Sequence, residues 1–247
     1  MKKIINWKTY SVLLAACAVG SVFVIPYQVG LNPAFADLGS QLYMVAFLQG
    51  IVMYSAVTFL GLFFARKAGF GLLVFESENK LKALKSIVFS SILWGLVSGT
   101  LITILAFPFG KESVELFAAG EEVAVWKRLL ACFYGGIAEE VLMRLFVVSL
   151  LTWILTKIKL PRNASVWVAI IISSVLFGLG HLPLTEELTA ITVSIVARAI
   201  LLNGVGGVVF GALYWKKGLE SAMIAHFSAD IVLQMITPYI ARLFIIG

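Results

Sequence analysis

The chain has 247 residues, 61% of them hydrophobic and 13% charged, with a mean hydropathy of +1.01. Soluble domains run near about 45–50% apolar and about 25% charged, so these figures exclude a soluble globular domain and define an integral membrane protein. The net charge of +6 does not point to nucleic acid, because the basic residues form short clusters between apolar segments, with no stripe of interleaved aromatics.

The apolar runs are long and continuous rather than alternating with period two, which selects helices over a β-barrel. Windows of about 20 residues, the length that crosses a bilayer, delimit the segments in order. The first covers about 10–29. It can be read as a secretory leader with "AFA" at 34–36 as its cleavage site, but the apolar run is long for a leader and Pro26 lies well before that site. An uncleaved first helix is therefore expected. The second covers about 42–65, followed by a basic loop holding Arg66, Lys67, Lys80, Lys82 and Lys85, and the third about 87–109. "GKESVELFAAGEEVAVWKR" then reads as a polar, interfacial helix. The fourth segment, about 129–155, contains "YGGIAEEVLMRLFVVSLL" and closes on Lys157, Lys159 and Arg162, with Pro161 and Asn163 in the turn.

The fifth segment covers about 165–181 and ends in "HLPLTEEL"; the sixth covers about 189–215 and is rich in small residues. Its Gly207 and Gly211 are four apart, a spacing that lets helices approach closely. The seventh covers about 219–236, and "TPYIARLFIIG" either extends it past Pro238 or forms a short eighth helix. The expectation is an all-α, polytopic membrane bundle of about seven to eight transmembrane helices, forming one integral-membrane domain over 1–247.

Basic clusters follow the second, fourth and sixth segments and precede the first (Lys2, Lys3, Lys8), whereas the alternate loops carry Asp37, Glu112, Glu115, Glu121, Glu122, Glu186 and Glu187. Lys111, Lys127 and Arg128 are exceptions. This bias predicts a cytoplasmic N-terminus in a multi-pass cell-membrane protein. Cys17 and Cys132 each lie inside an apolar segment and read as small core residues, without a disulfide framework or a CxxC pattern. Trp7, Trp126, Trp153 and Trp215 lie near segment ends, as an aromatic belt requires.

A charge at the bilayer centre costs roughly 2.5–3.5 kcal/mol on insertion scales, so the ionisable groups inside these segments need a reason. Glu140 and Arg144 are four apart on one helical face and can pair. Glu139 is turned about 100° from its neighbour in an α-helix and has no evident countercharge. The only two histidines are His181, ending the fifth segment in "FGLGH", and His226, in "AHFSAD" of the seventh with Asp230 one turn on. Glu139 and His226 each lie about ten residues from the same end of their helices, a depth of roughly 15 Å at 1.5 Å per residue. His181 lies shallower, which requires a short or tilted fifth helix. Arg198 and Asn203 read as interhelical or snorkelling groups and Arg242 as interfacial.

A glutamate, two histidines and an aspartate can hydrolyse an amide by two routes. Glu139 can act as general base on a water that His181 also holds, with His226 and the Asp230 region stabilising the oxyanion. Alternatively the histidines and a glutamate bind zinc, which acidifies the water. The HExxH pattern of helical zinc sites is absent, so the zinc route is the weaker one and no cofactor is expected.

"EEVLMR", "FGLGH" and "HFSAD", in that order on membrane helices, resemble the EExxxR, FxxxH and HxxxD/N motifs of the CAAX-prenyl-protease and bacteriocin-processing family of intramembrane endopeptidases. The likeness covers about 133–234, and with it a core of about 127–236. It implies a helical bundle with a conical cavity and proteolysis of a membrane-associated peptide or protein, prenylated or not. By position, the resemblance implies Glu139 as the water-activating base, His181 as its partner, and His226 with Asp230 as the oxyanion site. Glu140, Arg144 and Phe177 would shape the pocket. Asp230 stands where eukaryotic members carry Asn, and an ionised Asp cannot donate to an oxyanion. It must then be protonated or orient His226. The rivals are a non-catalytic protein of the same fold, acting in bacteriocin self-immunity or as a scaffold, and a transporter. The latter lacks the internal repeat it would show.

Overall fold

The computed structural model describes residues 5–246, and every regular element among them is helical. Lys2 and Lys3 of the basic N-terminus lie outside the described residues. Asn6 caps α1 (Trp7–Phe23), its side chain accepting from the Lys8 and Thr9 amides, so the helix has a defined start. The chain breaks at Val24 before α2 (Ile25–Leu31), where Pro26 tolerates the first turn but cannot continue a ladder. α3 (Gly39–Ala68) ends where Gly69 adopts the left-handed conformation, and a short α4 (Leu73–Glu76) leads into α5 (Lys80–Ala106), capped by Asn79.

α6 (Lys111–Ala118) is the expected polar helix. α7 (Val125–Phe133) passes without interruption through two π-helical stretches, Tyr134–Glu139 and Val141–Val148, into α8 (Ser149–Lys157). α9 (Arg162–Gly180), α10 (Leu182–Glu186), α11 (Val193–Lys217), α12 (Leu219–Met235) and α13 (Thr237–Ile246) complete the chain. The tail is thus a separate helix that starts at Thr237 and holds Pro238 in its first turn, packing its Ala241 against Val114 and Ala118 of α6.

Six helical stretches among the described residues are long and apolar enough to cross a membrane, as an all-α multi-pass bundle requires. The continuous helical stretch 125–157 is as long and carries Glu139, Glu140 and Arg144 within it. The basic loop expected after the second segment is not a loop. Arg66 and Lys67 occupy the last turn of α3, where cations favour the helix dipole, and Lys80, Lys82 and Lys85 ride on the first turns of α5.

Contacts sort the helix ends into two sets. At one end Arg162 donates to the carbonyls of Ala68 and Gly69, Lys217 to Ser90, and Glu220 accepts the amides of Val74 and Phe75. At the other, Asn32 donates to Glu187, Thr189 to Glu112, Arg198 to Ser113, and Arg242 pairs with Glu121. Gly211 and Gly207 bring α11 against α9, where an added Cβ would meet Ile170 and Ser174 respectively. Cys17 and Cys132 are buried, free thiols.

Candidate active site

The π-helical turns alter the geometry that an α-helix would impose. A π-helix closes i→i+5 hydrogen bonds, so each residue turns through a smaller angle and adjacent side chains diverge less. Glu139 and Glu140 therefore both reach one imidazole, that of His226, from either side of the ring. Glu140 Oε1 stands 2.7 Å from His226 Nδ1, while Glu139 Oε2 lies 3.7 Å from Nε2. The expectation that Glu139 points well away from its neighbour's partners is corrected here, and the wider helix is the reason.

Glu140 is fully buried, and Arg144 Nη1 stands 3.0 Å from its Oε1, close enough for an ion pair though not aligned as a hydrogen bond. The Arg144 guanidinium lies between the rings of Phe177 and Phe210, 5.0 and 5.4 Å from their centroids. Phe210 in turn stacks on His226 at 4.6 Å, and Phe177 meets His226 and His181 edge to face. The imidazole is thus fixed by aromatic walls and by one charge-assisted bond at Nδ1. Because Glu140 beside Arg144 accepts, Nδ1 carries a proton, and Nε2 is left facing the cavity.

Asp230 does not hold Nδ1. Its Oδ1 lies 3.7 Å from Nε2, on the side of Glu139. Of the two roles left open for Asp230, orienting the ring therefore falls to Glu140. The close passage of these groups depends on Gly135: an added Cβ there would strike Asp230 Oδ2 and come 3.2 Å from His226 Nε2.

Glu139, His226, Asp230, Phe177 and His181 all line one cavity of about 370 Å³. Glu139 and Asp230 are partly open to it, 21% and 17% exposed at the side chain, whereas Glu140 and Arg144 lie behind the wall. His181 follows α9 directly, and its Nδ1 is 2.8 Å from the Phe177 carbonyl, which leaves Nε2 without a proton when the ring is neutral. Its shallower position is accommodated because the cavity runs from the helix ends inward to His226. Among the described residues, no three His, Cys, Asp or Glu side chains come together in a metal-holding geometry.

Other cavity residues escaped the sequence reading. Phe210 carried no signal apart from an apolar helix. Tyr27 and Gln234 also line the space, as does Asn203, read from the sequence only as an interhelical group, and Arg128, taken for an interfacial cation, is buried beneath it. It donates to the Gln234 carbonyl at 2.7 Å and to the Tyr239 hydroxyl at 2.8 Å, tying α7 across the α12–α13 break. Arg198 bonds Ser113 and Asn203 bonds the Ala199 carbonyl, as structural groups would.

Fold and site together define a multi-pass helical membrane protein with carboxylates and imidazoles gathered on an intramembrane cavity. Residues 121–232 match the family model described as type II CAAX prenyl endopeptidase, Rce1-like. That match takes in all three motifs, in agreement with the resemblance read from them. None of the curated proteins and none of the solved structures matches the chain.

Proposed function

We propose that the protein is an intramembrane endopeptidase in which Glu139 activates water. The observation that carries this reading is the convergence of Glu139 and Asp230 on the free Nε2 of a histidine whose other nitrogen Glu140 holds, at a cavity wall. Glu139 takes a proton from a water that His181 also holds, and the hydroxide attacks the scissile carbonyl carbon. The carbonyl π electrons move onto oxygen, and the protonated His226 ring donates from Nε2 to that oxyanion. When the intermediate collapses the C–N bond breaks, and the amine leaves with the proton carried by Glu139. Asp230, facing Nε2, stabilises the imidazolium. Glu140, Arg144 and Phe177 keep the ring in place.

The substrate on this reading is a peptide or a membrane-associated protein, and the residence is the cell membrane with the basic helix ends cytoplasmic. No cofactor is required by these steps. Zinc held by the histidines and a glutamate is the weaker alternative, and the same experiment separates it. Cleavage of a fluorogenic membrane-peptide library is measured for the purified wild type, Glu139→Gln and His226→Ala, each with and without a chelator. Loss of activity by about 10²–10⁴-fold in Glu139→Gln, unaffected by chelator in the wild type, is expected for a general base. Cleavage abolished by chelator and restored by zinc would replace the glutamate mechanism. A well-folded wild type that cleaves nothing would move the protein to the immunity or scaffold reading.

A further inference from the structure

The cavity opens at one end of the bundle and is sealed at the other. Toward that end it is lined by Leu31 of α2, Leu184 and Thr185 of α10, Pro238 of α13, and Gly120 and Leu188 in the turns after α6 and α10. All of these lie at the helix ends that carry Glu112, Glu115, Glu121, Glu122, Glu186 and Glu187. Below His226 the interior is closed by the buried Glu140–Arg144 pair, then by the Ser149–Tyr214 hydrogen bond at 2.8 Å and the Ser91–Ser221 bond at 2.7 Å. Beyond that plug come the basic ends: Arg66 and Lys67, Lys157 and Lys159, Lys216 and Lys217. With the stretch 125–157 counted as a crossing, the crossings alternate, so the basic groups at 66–67, 80–85, 157–162 and 216–217 fall on the sealed face, and the acidic clusters, with Lys111, Lys127 and Arg128 as the exceptions among them, ring the open one.

Cations next to membrane helices are retained on the cytoplasmic side. We infer that the cavity opens to the extracytoplasmic face, and that the chain therefore acts on peptide segments presented from outside or within the outer leaflet. A lipid-modified C-terminal tail on the cytoplasmic face would meet the sealed end and could not reach Glu139. The inference rests on the endopeptidase reading for its substrate but not for its sidedness. It follows from the fold and the charge distribution, and is independent of the catalytic roles.

Sidedness is tested with single cysteines in the full-length protein, Glu186→Cys beside the mouth and Lys157→Cys on the sealed face, against the parent chain with its two buried thiols. A membrane-impermeant maleimide is applied to right-side-out and inverted vesicles. The expected result is labelling of Glu186→Cys only in right-side-out vesicles and of Lys157→Cys only in inverted ones. The reverse pattern, or labelling of either site on both faces, would overturn the inference. A second arm places one cleavable segment on the outer or the inner face of a reporter membrane protein, and separately on a prenylated cytoplasmic tail. Cleavage confined to the outer-face reporter supports the substrate class, and cleavage of the prenylated tail rejects it. Correct labelling without cleavage of any reporter would reject the endopeptidase reading while leaving the orientation standing.

Discussion

At the scale of single residues, the proposed mechanism separates groups that perform chemistry from groups that hold them. Glu139 is partly exposed and approaches its nearest charged neighbour only to 3.7 Å, so Glu139→Gln should remove activity and leave the thermal transition in detergent nearly unchanged. Arg144 is the opposite case. It is buried beside a fully buried carboxylate, and removing one partner of such a pair leaves an uncompensated charge that costs about 3–5 kcal/mol. Arg144→Ala is therefore expected to lower the melting temperature sharply, and a transition unchanged from wild type would show that Glu140 does not need its countercharge. The residue types and their order in "AEEVLMR", "FGLGH" and "AHFSAD" were legible as a candidate site. Which nitrogen of His226 each carboxylate meets was not, because that depends on the rotamers and depth of three separate helices.

At the scale of elements, the informative feature is the π-helical passage through 134–148. Its wider turns direct two consecutive glutamates at one ring, and Gly135 within it leaves room for Asp230 and His226. Gly135→Ala adds a methyl group where the carboxylate already stands. Overpacking of this kind costs about 1–3 kcal/mol, and here the displaced atoms are those of the site. Cleavage should fall strongly while circular dichroism shows the helical content intact; wild-type turnover by this variant would sink the claim that Gly135 sets the spacing. Hydropathy windows found most helix ends to within a few residues, because continuous apolar runs specify where a helix lies in lipid, though α5 starts seven residues before the expected 87. They could not distinguish π from α turns, since apolar periodicity is a coarse average over neighbouring residues.

For the whole molecule, access is the governing property. Residues of α2, α6, α10 and α13 and of the turns beside them line the cavity that reaches His226, so bulk there should impede binding before it impedes chemistry. Leu188→Trp is expected to raise KM about tenfold, equivalent to about 1.4 kcal/mol of binding, with kcat largely retained. A fall in kcat at constant KM would instead place Leu188 in the chemical step.

The sequence alone determined that the chain lives in a bilayer, that it crosses as helices, and that a small set of Glu, His, Asp and Arg residues sits inside the apolar segments. Each of these follows from transfer free energies acting on local stretches, which composition and spacing express directly. Only the tertiary structure decided that Glu140 rather than Asp230 holds Nδ1, that Arg128 is buried, and that the cavity ends in a plug on the basic face. Those outcomes arise where distant helices meet, and the packing of one helix against another is set by side-chain shape across the interface rather than by any single segment's pattern.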